Sequence, residues 1–482
     1  MKASRKISLS LVLAYSCLAL LMGIDGHPGK DRLRGGDYPS HSPEERPHIV
    51  ILLADDLGYG DLACYGNKEI RSPNLDRLAS QGIRFIDAYA SAPMCSPSRA
   101  GLLTGRIPNR TGIYDWIAPD SAFYLKSEEI TIASILRDHG YQTGLFGKWH
   151  LNGKMGTAEQ AQPDDHGFDY YFATQYSSNH LAPHGFYRNG GKLYQQHGYS
   201  CDIVTREAVR WLKNSWDGNA PFFQFISFHE VHEPIASPPD LLETYHLAGK
   251  KMLYYANVTN LDRAIGRYLD VLDEMGLSDN TIVIFTSDNG PATWSKGYFE
   301  RSYGETGGLR GRKRFLWEGG IRVPCIMRWP GTVESGQVTA IPVSNLDFLP
   351  TLTKAAGLEV LSENLIDGSD ITPLLTNQPF QRKVPLSWHF YAPVDGPNSV
   401  LRNGSWVLTA RWDGGEYSRG RFKRSFVDDI RSAELTDFIL YNIQEDMSQE
   451  ENLADRYPDR FNQLKKELIS IHREIRDSSP LW

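Results

Sequence analysis

Cysteine is scarce: five in 482 residues, too few to staple a fold of this size. Cys17 falls in an N-terminal apolar stretch and Cys95 in a motif treated below. That leaves Cys64, Cys201 and Cys325, enough for one disulfide at most with one thiol over. Repeats and low-complexity segments are also lacking, so the chain is not built as an array. Excess positive charge is missing, and a net charge of -7 argues against nucleic acid as the main partner. Long hydrophobic runs are missing except for Ile7 to Met22, which Ser8, Ser10 and Ser16 interrupt and Lys2, Arg5 and Lys6 precede. That pattern predicts a signal peptide over residues 1–26, and hence export with no membrane insertion of the mature chain. The destination is periplasmic or secreted in a bacterium, lysosomal or extracellular in a eukaryote. An uncleaved anchor and a lipid on Cys17 are the other readings, although Ala14-Tyr15-Ser16 is a poor context for the latter.

What is present suits a globular protein, since 482 residues at 41% hydrophobic content can bury one large core and a smaller one. Gly, Pro, Ser and charged residues over 27–46 predict a flexible lead-in. Strand-like and helix-like patterns then alternate to about Leu375, which predicts an α/β fold with a large, mainly parallel sheet sandwiched by helices. Helices are expected over Asn74 to Gln81, Thr131 to Asp138 and Val204 to Asn214. The organisation expected is a domain over 47–375 and a C-terminal α+β subdomain over 376–482. The latter has short strands such as Trp406 to Thr409 and a closing helix with Phe461, Leu464, Leu468 and Ile471 on one face, a stripe that reads as packing.

Four apolar runs of strand length end in polar residues. His48 to Ala54 stops at Asp55-Asp56, and Thr281 to Thr286 stops at Ser287-Asp288-Asn289-Gly290. Ligands of open α/β sheets bind beyond the carboxyl ends of strands, so the two tips can converge. Asp55, Asp56, Asp288 and Asn289 would then make an all-oxygen cage suited to a hard cation, Ca²⁺ or Mg²⁺, over zinc. Either pair alone is equally an N-cap or a turn. The other two runs end in basic residues: Gly140 to Phe146 leads into Gly147-Lys148-Trp149-His150, and Phe222 to Phe228 leads into His229-Glu230-Val231-His232-Glu233-Pro234. A lone loop lysine or histidine is usually only solvated. The shared position at strand ends points to a site.

Cys95-Ser96-Pro97-Ser98-Arg99 opens a predicted helix that Gly105 stops, with Pro97 suited to the first helical position. Cys95 thus lies where free backbone N–H groups favour negative charge. A thiolate phosphatase loop needs an arginine six positions on, where Gly101 stands, which argues against that chemistry. A buried structural thiol or half of a disulfide is the plain alternative. The basic stretch Gly308 to Pro324, with Lys313 before Glu318-Gly319-Gly320-Ile321-Arg322, reads as a local anion site.

In these motifs the chain closely resembles the type I sulfatases of the alkaline phosphatase superfamily. Cys-x-Pro-x-Arg, Gly-Lys-Trp-His, a histidine before x-Pro, and lysine followed by Glu-Gly-Gly-x-Arg occur in family order, with softer matches at Asn345 to Thr351 and Leu440 to Ala454. The resemblance implies that a formylglycine-generating enzyme oxidises Cys95 to formylglycine (3-oxoalanine), and that the hydrated aldehyde attacks a sulfate ester. It implies a divalent cation held by Asp55, Asp56, Asp288, Asn289 and residue 95, with Arg99 holding the hydrate. Lys148 and Lys313 neutralise the sulfate, His232 protonates the leaving alcohol and His150 takes a proton to expel sulfate. Ser177, after Gly167-Phe168-Asp169, resembles a serine that donates to the sulfate, and His229 is the weaker histidine match.

The substrate expected is a sulfated carbohydrate, with Trp294, Tyr298, Arg301, Tyr303 and Trp388-His389 at the pocket rim. Phosphomonoester or phosphonate hydrolysis and a non-catalytic glycan-binding role are the rival readings. Asn109-Arg110-Thr111, Asn257-Val258-Thr259 and Asn403-Gly404-Ser405 are glycosylation triplets.

Overall fold

A computed structural model describes residues 46–247, 249–293, 303–359, 366–414, 422–480 and 482. The expected signal peptide and the lead-in up to residue 45 lie outside the described residues, as do Trp294, Tyr298 and Arg301.

Ten strands form one sheet, in the order Gln337–Thr339, Ile83–Phe85, Cys325–Arg328, Thr281–Ser287, His48–Ala54, Phe222–Ser227, Gln142–Lys148, Tyr170–Thr174, Phe186–Arg188, Gly191–Lys192. The five from Thr281–Ser287 to Tyr170–Thr174 are parallel. Cys325–Arg328 and the hairpin Phe186–Lys192 are antiparallel additions on either side. The central run His48–Ala54 is continuously apolar because both faces of its strand are covered. Ile49, Ile51 and Leu53 point into one core with the helices Cys95–Thr104, Ile132–Asp138 and Phe348–Ala355. Val50, Leu52 and Ala54 point into the other, with Pro73–Ser80, Ser200–Asn214 and Gly249–Glu274. Register places Ala54 beside Ser287 and Leu53 beside Ser227, so three chain segments leave the sheet side by side at one edge.

Element boundaries differ from the sequence reading where side chains intervene. Ser200–Asn214 starts four residues before Val204, because the buried Glu230 accepts from the Cys201 N–H (3.0 Å) and the Ser200 hydroxyl and so satisfies the first turn. Cys95–Thr104 begins at Cys95 itself, which places Pro97 third in the helix instead of first. The missing N–H is harmless there too, since it falls within the unpaired first turn. Gly105 ends the helix at φ 65°, its N–H bonded to the Gly101 carbonyl at 2.8 Å.

Leu386–His389, Ser399–Asn403, Trp406–Trp412 and Leu435–Asn442 make a separate antiparallel sheet. The helix Pro458–Ser478 covers it with the predicted stripe: Leu464 and Leu468 are buried against Leu401, Leu408 and Leu440, with Phe461 and Ile471 at the margin. Cys64, Cys95, Cys201 and Cys325 are all free thiols. Two of the glycosylation triplets are closed to modification in the fold: Asn109 is buried, and Asn257 is fully buried with its amide donating to the Ala236 carbonyl. Among the described residues, no helix is long and apolar enough to cross a membrane.

Candidate active site

The strand ends deliver their polar residues to one spot. Asp55 and Asp56 leave His48–Ala54, Asp288 and Asn289 leave Thr281–Ser287, and the helix Cys95–Thr104 presents its first residue between them. Ligand atoms of Asp55, Asp56, Cys95 and Asp288 lie within 4.8 Å of one another, all buried. Asp56 takes φ 64° to turn its carboxylate inward, and the Asp56 N–H donates to Asp288 Oδ1 at 3.1 Å. His150, at the end of Gly-Lys-Trp-His, also sits in the left-handed region at φ 61°. Such strain in non-glycine residues persists where the surroundings fix a particular side-chain direction.

Three cations answer the three aspartates. Lys148 Nζ spans both oxygens of Asp55 at 2.9 and 2.8 Å. Lys313 Nζ lies 2.5 Å from Asp56 Oδ1 and 3.1 Å from Cys95 Sγ. Arg99 donates through Nε and a terminal nitrogen to Asp288 Oδ2 at 3.0 and 2.8 Å, and reaches the Ser227 hydroxyl at 2.5 Å. The protein's own charges therefore cancel. A divalent cation would leave two positive charges, room for a singly charged sulfate ester and an ionised nucleophile. The donor set fits a hard cation, and Asn289 adds a specific sign: its Nδ2 donates to Asp56 Oδ1 at 2.7 Å, while its buried Oδ1 has no partner among the described residues and is free to ligate.

Burial tends to raise Asp55, but the neighbouring cations, Lys148 foremost, outweigh it and hold the carboxyl well below its ordinary value. Burial pushes the Cys95 thiol up to about 12, against the pull of Lys148 and Lys313. The unmodified thiol is thus protonated at neutral pH and is a poor thiolate nucleophile. Burial, then the charges of Lys148 and Arg99, hold His150 neutral, and among the described residues neither ring nitrogen has a partner. His232 Nδ1 lies 2.8 Å from the Glu233 carbonyl, to which it donates, so Nε2 faces the site, 3.9 Å from Asp56 Oδ2. Ser177 Oγ donates to Asp55 Oδ2 at 2.6 Å. His229 is fully buried beneath this layer, accepting from the Ser178 N–H at 3.2 Å, its Nε2 without a partner among the described residues.

All the expected site residues are thus gathered here, whereas the expected rim is only partly so. Trp388 and His389 are buried in the small sheet, the indole N–H bonded to the Ala90 carbonyl at 2.8 Å, so they do not line an open rim. Tyr303 packs against the core of the large sheet. The sequence reading missed Ser227 and Asp61. Ser227 ends a strand like its better-marked neighbours, a position that was itself the signal. Asp61 accepts from the Gly58 N–H (2.6 Å), the Glu305 N–H (2.8 Å) and the Tyr254 hydroxyl (2.7 Å), tying the loop after Asp56 to the segment leading to Lys313. A Cβ on Gly58 would fall 2.2 Å from the Glu305 carbonyl, and Gly58-Tyr59-Gly60 directly after an acid pair was the readable trace of that close approach.

Anion-holding cations and a hard-cation cage at the strand ends of a doubly covered sheet define a hydrolase of anionic esters. The sulfatase family profile matches residues 47–358, and a profile described as N-sulphoglucosamine sulphohydrolase, C-terminal, matches 305–414. Human arylsulfatase A is 36% identical over 358 residues, covering 68% of each chain. Human steryl-sulfatase is 32% identical over 415 residues, covering 68% of this chain and 70% of its own. A crystal structure of Ps i-CgsB in complex with k-i-k-neocarrahexaose superposes with TM-score 0.76 at 25% identity, covering 90% of this chain and 94% of that one. The chain belongs to the formylglycine-dependent sulfatase family of the alkaline phosphatase superfamily, and it is a sulfuric ester hydrolase.

Proposed function

We propose that this enzyme removes sulfate from a sulfated carbohydrate, with formylglycine made from Cys95 as nucleophile and Ca²⁺, or Mg²⁺, held by Asp55, Asp56, Asp288 and Asn289. The carrying observation is the cluster itself: a helix-initial, fully desolvated Cys95 within 4.8 Å of three aspartates and 3.1 Å from Lys313. A carbohydrate substrate is supported by the likeness to Ps i-CgsB, solved with k-i-k-neocarrahexaose, which extends over 90% of the chain. Residues 1–26 are assigned as an export signal, 47–375 as the catalytic domain and 376–482 as its C-terminal subdomain.

A cation held by Asp55, Asp56, Asp288 and Asn289 would supply Lewis acidity to a sulfate oxygen and to the aldehyde hydrate, whose second hydroxyl would let sulfate leave by elimination. The chain's own residues do the rest. Lys313, beside position 95, and Lys148, on Asp55, neutralise the sulfate, and Ser177 offers it a donor. Arg99, fixed by Asp288 and Ser227, orients the nucleophile. His232, on the side that retains some solvent access, delivers a proton through Nε2 to the departing alkoxide. Burial holds this imidazole down to about 4, and the arriving sulfate's negative charge works against that. His150, neutral and with two unpartnered nitrogens, accepts the proton released when sulfate is expelled.

The test is peptide mass spectrometry of the Cys95 segment from a host with the formylglycine-generating enzyme, together with sulfate release by Cys95→Ser. We expect an aldehyde mass in the wild type and at most a single turnover in the variant. An unmodified thiol in active enzyme, or steady turnover by Cys95→Ser, would overturn the assignment.

A further inference from the structure

Arg314, next to Lys313, is built unlike a solvated arginine. It lies at φ 69°, held there by its N–H on the Pro93 carbonyl (2.8 Å) and by the Val394 N–H on its own carbonyl (3.0 Å). Its side chain is 17% exposed, and among the described residues its buried Nε and one terminal nitrogen have no acceptor. Among the described residues its ion-pair partner is Asp115 at 3.8 Å, beyond hydrogen-bond reach. Asp115 already accepts from the Trp116 N–H and the Tyr391 hydroxyl, both at 2.8 Å. A strained backbone that holds a largely buried guanidinium in an ion pair with Asp115, but with no hydrogen-bond acceptor for these two nitrogens among the described residues, leaves those donors for a ligand.

The location says which ligand. Pro93 precedes Cys95 by two residues, and the Ile117 N–H donates to the hydroxyl of Ser96 at 3.0 Å. Arg314 and the segment Asp115 to Ile117 therefore grip the start of the nucleophile helix from outside the cation cage. Asp115, Trp116 and Ile117 also line a cavity of about 380 Å³ with Phe123, Phe422 and Lys423, a size and an apolar lining suited to a sugar residue.

We propose that Arg314, with Asp115 behind it, is a specificity-determining residue that binds a second anionic group, a ring carboxylate or another sulfate, next to the scissile sulfate ester. The planar fork matches either oxyanion in bidentate fashion. Asp115 tempers its charge, so that a lone anion is not trapped while a sugar held by its sulfate can engage it. The inference rests on the sulfated-carbohydrate reading above.

The experiment measures kcat and KM of the matured enzyme on 4-nitrophenyl sulfate, on monosulfated hexosamines, on disulfated hexosamines and on sulfated hexosamine–uronate disaccharides. The wild type should prefer one of the two dianionic classes, and which one identifies the second anion. Arg314→Ala should lower the ratio of dianionic to aryl-sulfate kcat/KM at least tenfold, mainly through KM, with Arg314→Lys recovering part of it. Asp115→Asn, which removes the opposing charge, should lower KM for the dianionic sugar. An equal loss on every substrate, or a wild-type preference for monosulfated sugars, would overturn the subsite while leaving the sulfatase assignment intact. Cleavage of the aryl sulfate with no sugar cleaved would instead sink the carbohydrate reading, and the subsite with it.

Discussion

Single residues near position 95 are coupled by charge, so what each contributes depends on its partner. Ser227 illustrates this: its hydroxyl is 2.5 Å from an Arg99 guanidinium that is wholly buried with Asp288. Ser227→Ala leaves a buried charge one acceptor short, and we expect a loss of about 1.5–3 kcal/mol, read as a lower denaturant midpoint, with a fall in kcat as Arg99 loosens. An unchanged midpoint would show that Arg99 relies on Asp288 and the Lys148 carbonyl alone. Lys148→Ala and Lys313→Ala each strip an aspartate of its partner and the sulfate of a cation. Each should cost about 10²–10³ in kcat/KM on any sulfate ester, unlike the substrate-selective loss expected at Arg314. The residues that could be read from sequence were those whose chemistry is unusual for a loop: acid pairs, Gly-Lys-Trp-His, a cysteine in a modification signal. Ser227 and Asp61 act by holding others, and a serine or an aspartate that only accepts a hydrogen bond leaves no pattern of its own.

Secondary-structure elements carry a second kind of consequence, because the small sheet and its covering helix share buried histidines. His389 of Leu386–His389 and His472 of Pro458–Ser478 lie with Nδ1 atoms 3.5 Å apart. His472 Nε2 is 3.0 Å from the Ala433 carbonyl, and His389 Nε2 has no partner among the described residues. Burial lowers both from the ordinary 6.5; the adjacent His472 and Arg110 lower His389 further, while for His472 burial, helped by Arg476 and Arg473, outweighs the upward pull of the Ala433 carbonyl and Glu434. Folded, the pair is neutral. In the unfolded chain both take up protons as pH falls below about 6.5. The unfolded state then binds more protons, so stability is complete above that pH and declines below it. His472→Gln should flatten the fall in melting temperature between pH 7 and pH 5, measured by scanning calorimetry. A slope that survives the change would place the acid sensitivity elsewhere. The sequence suggested a rim role for His389 because it follows Trp388, whose aromatic face suits a sugar ring. Its alternation within a strand, which sends Trp388 and His389 to opposite faces that are both covered, becomes visible only once the closing helix is docked.

For the whole molecule, the site is an intersection of chain segments far apart in sequence, and this decides both what could be foreseen and what should hold it together. The central strands were legible because burial on both faces leaves an unbroken apolar run. The outlying strands Ile83–Phe85 and Gln337–Thr339 are too short to leave any periodicity, and their placement is set by contacts across more than 200 residues. Convergence of the four motif-bearing strand ends followed from parallel pairing, since neighbours running the same way end on the same edge. Asp55 and Asp56 come from one strand, Asp288 and Asn289 from another more than 230 residues later, and the Lys313 segment is bound in through Asp56 and Asp61. A cation seated among them binds only the folded arrangement, so it should raise stability as its concentration rises, by about 2.7 kcal/mol at a hundredfold excess over its dissociation constant. Chelator-treated protein titrated with Ca²⁺ should therefore show a progressive rise in melting temperature. Asn289→Leu, which keeps the branched shape but removes the amide donor to Asp56 and the oxygen that has no partner among the described residues, should blunt that rise more than it lowers the cation-free melting temperature. A melting temperature indifferent to Ca²⁺ and Mg²⁺ would mean that Lys148, Lys313 and Arg99 alone neutralise the aspartates, and would remove the cation from the proposed mechanism.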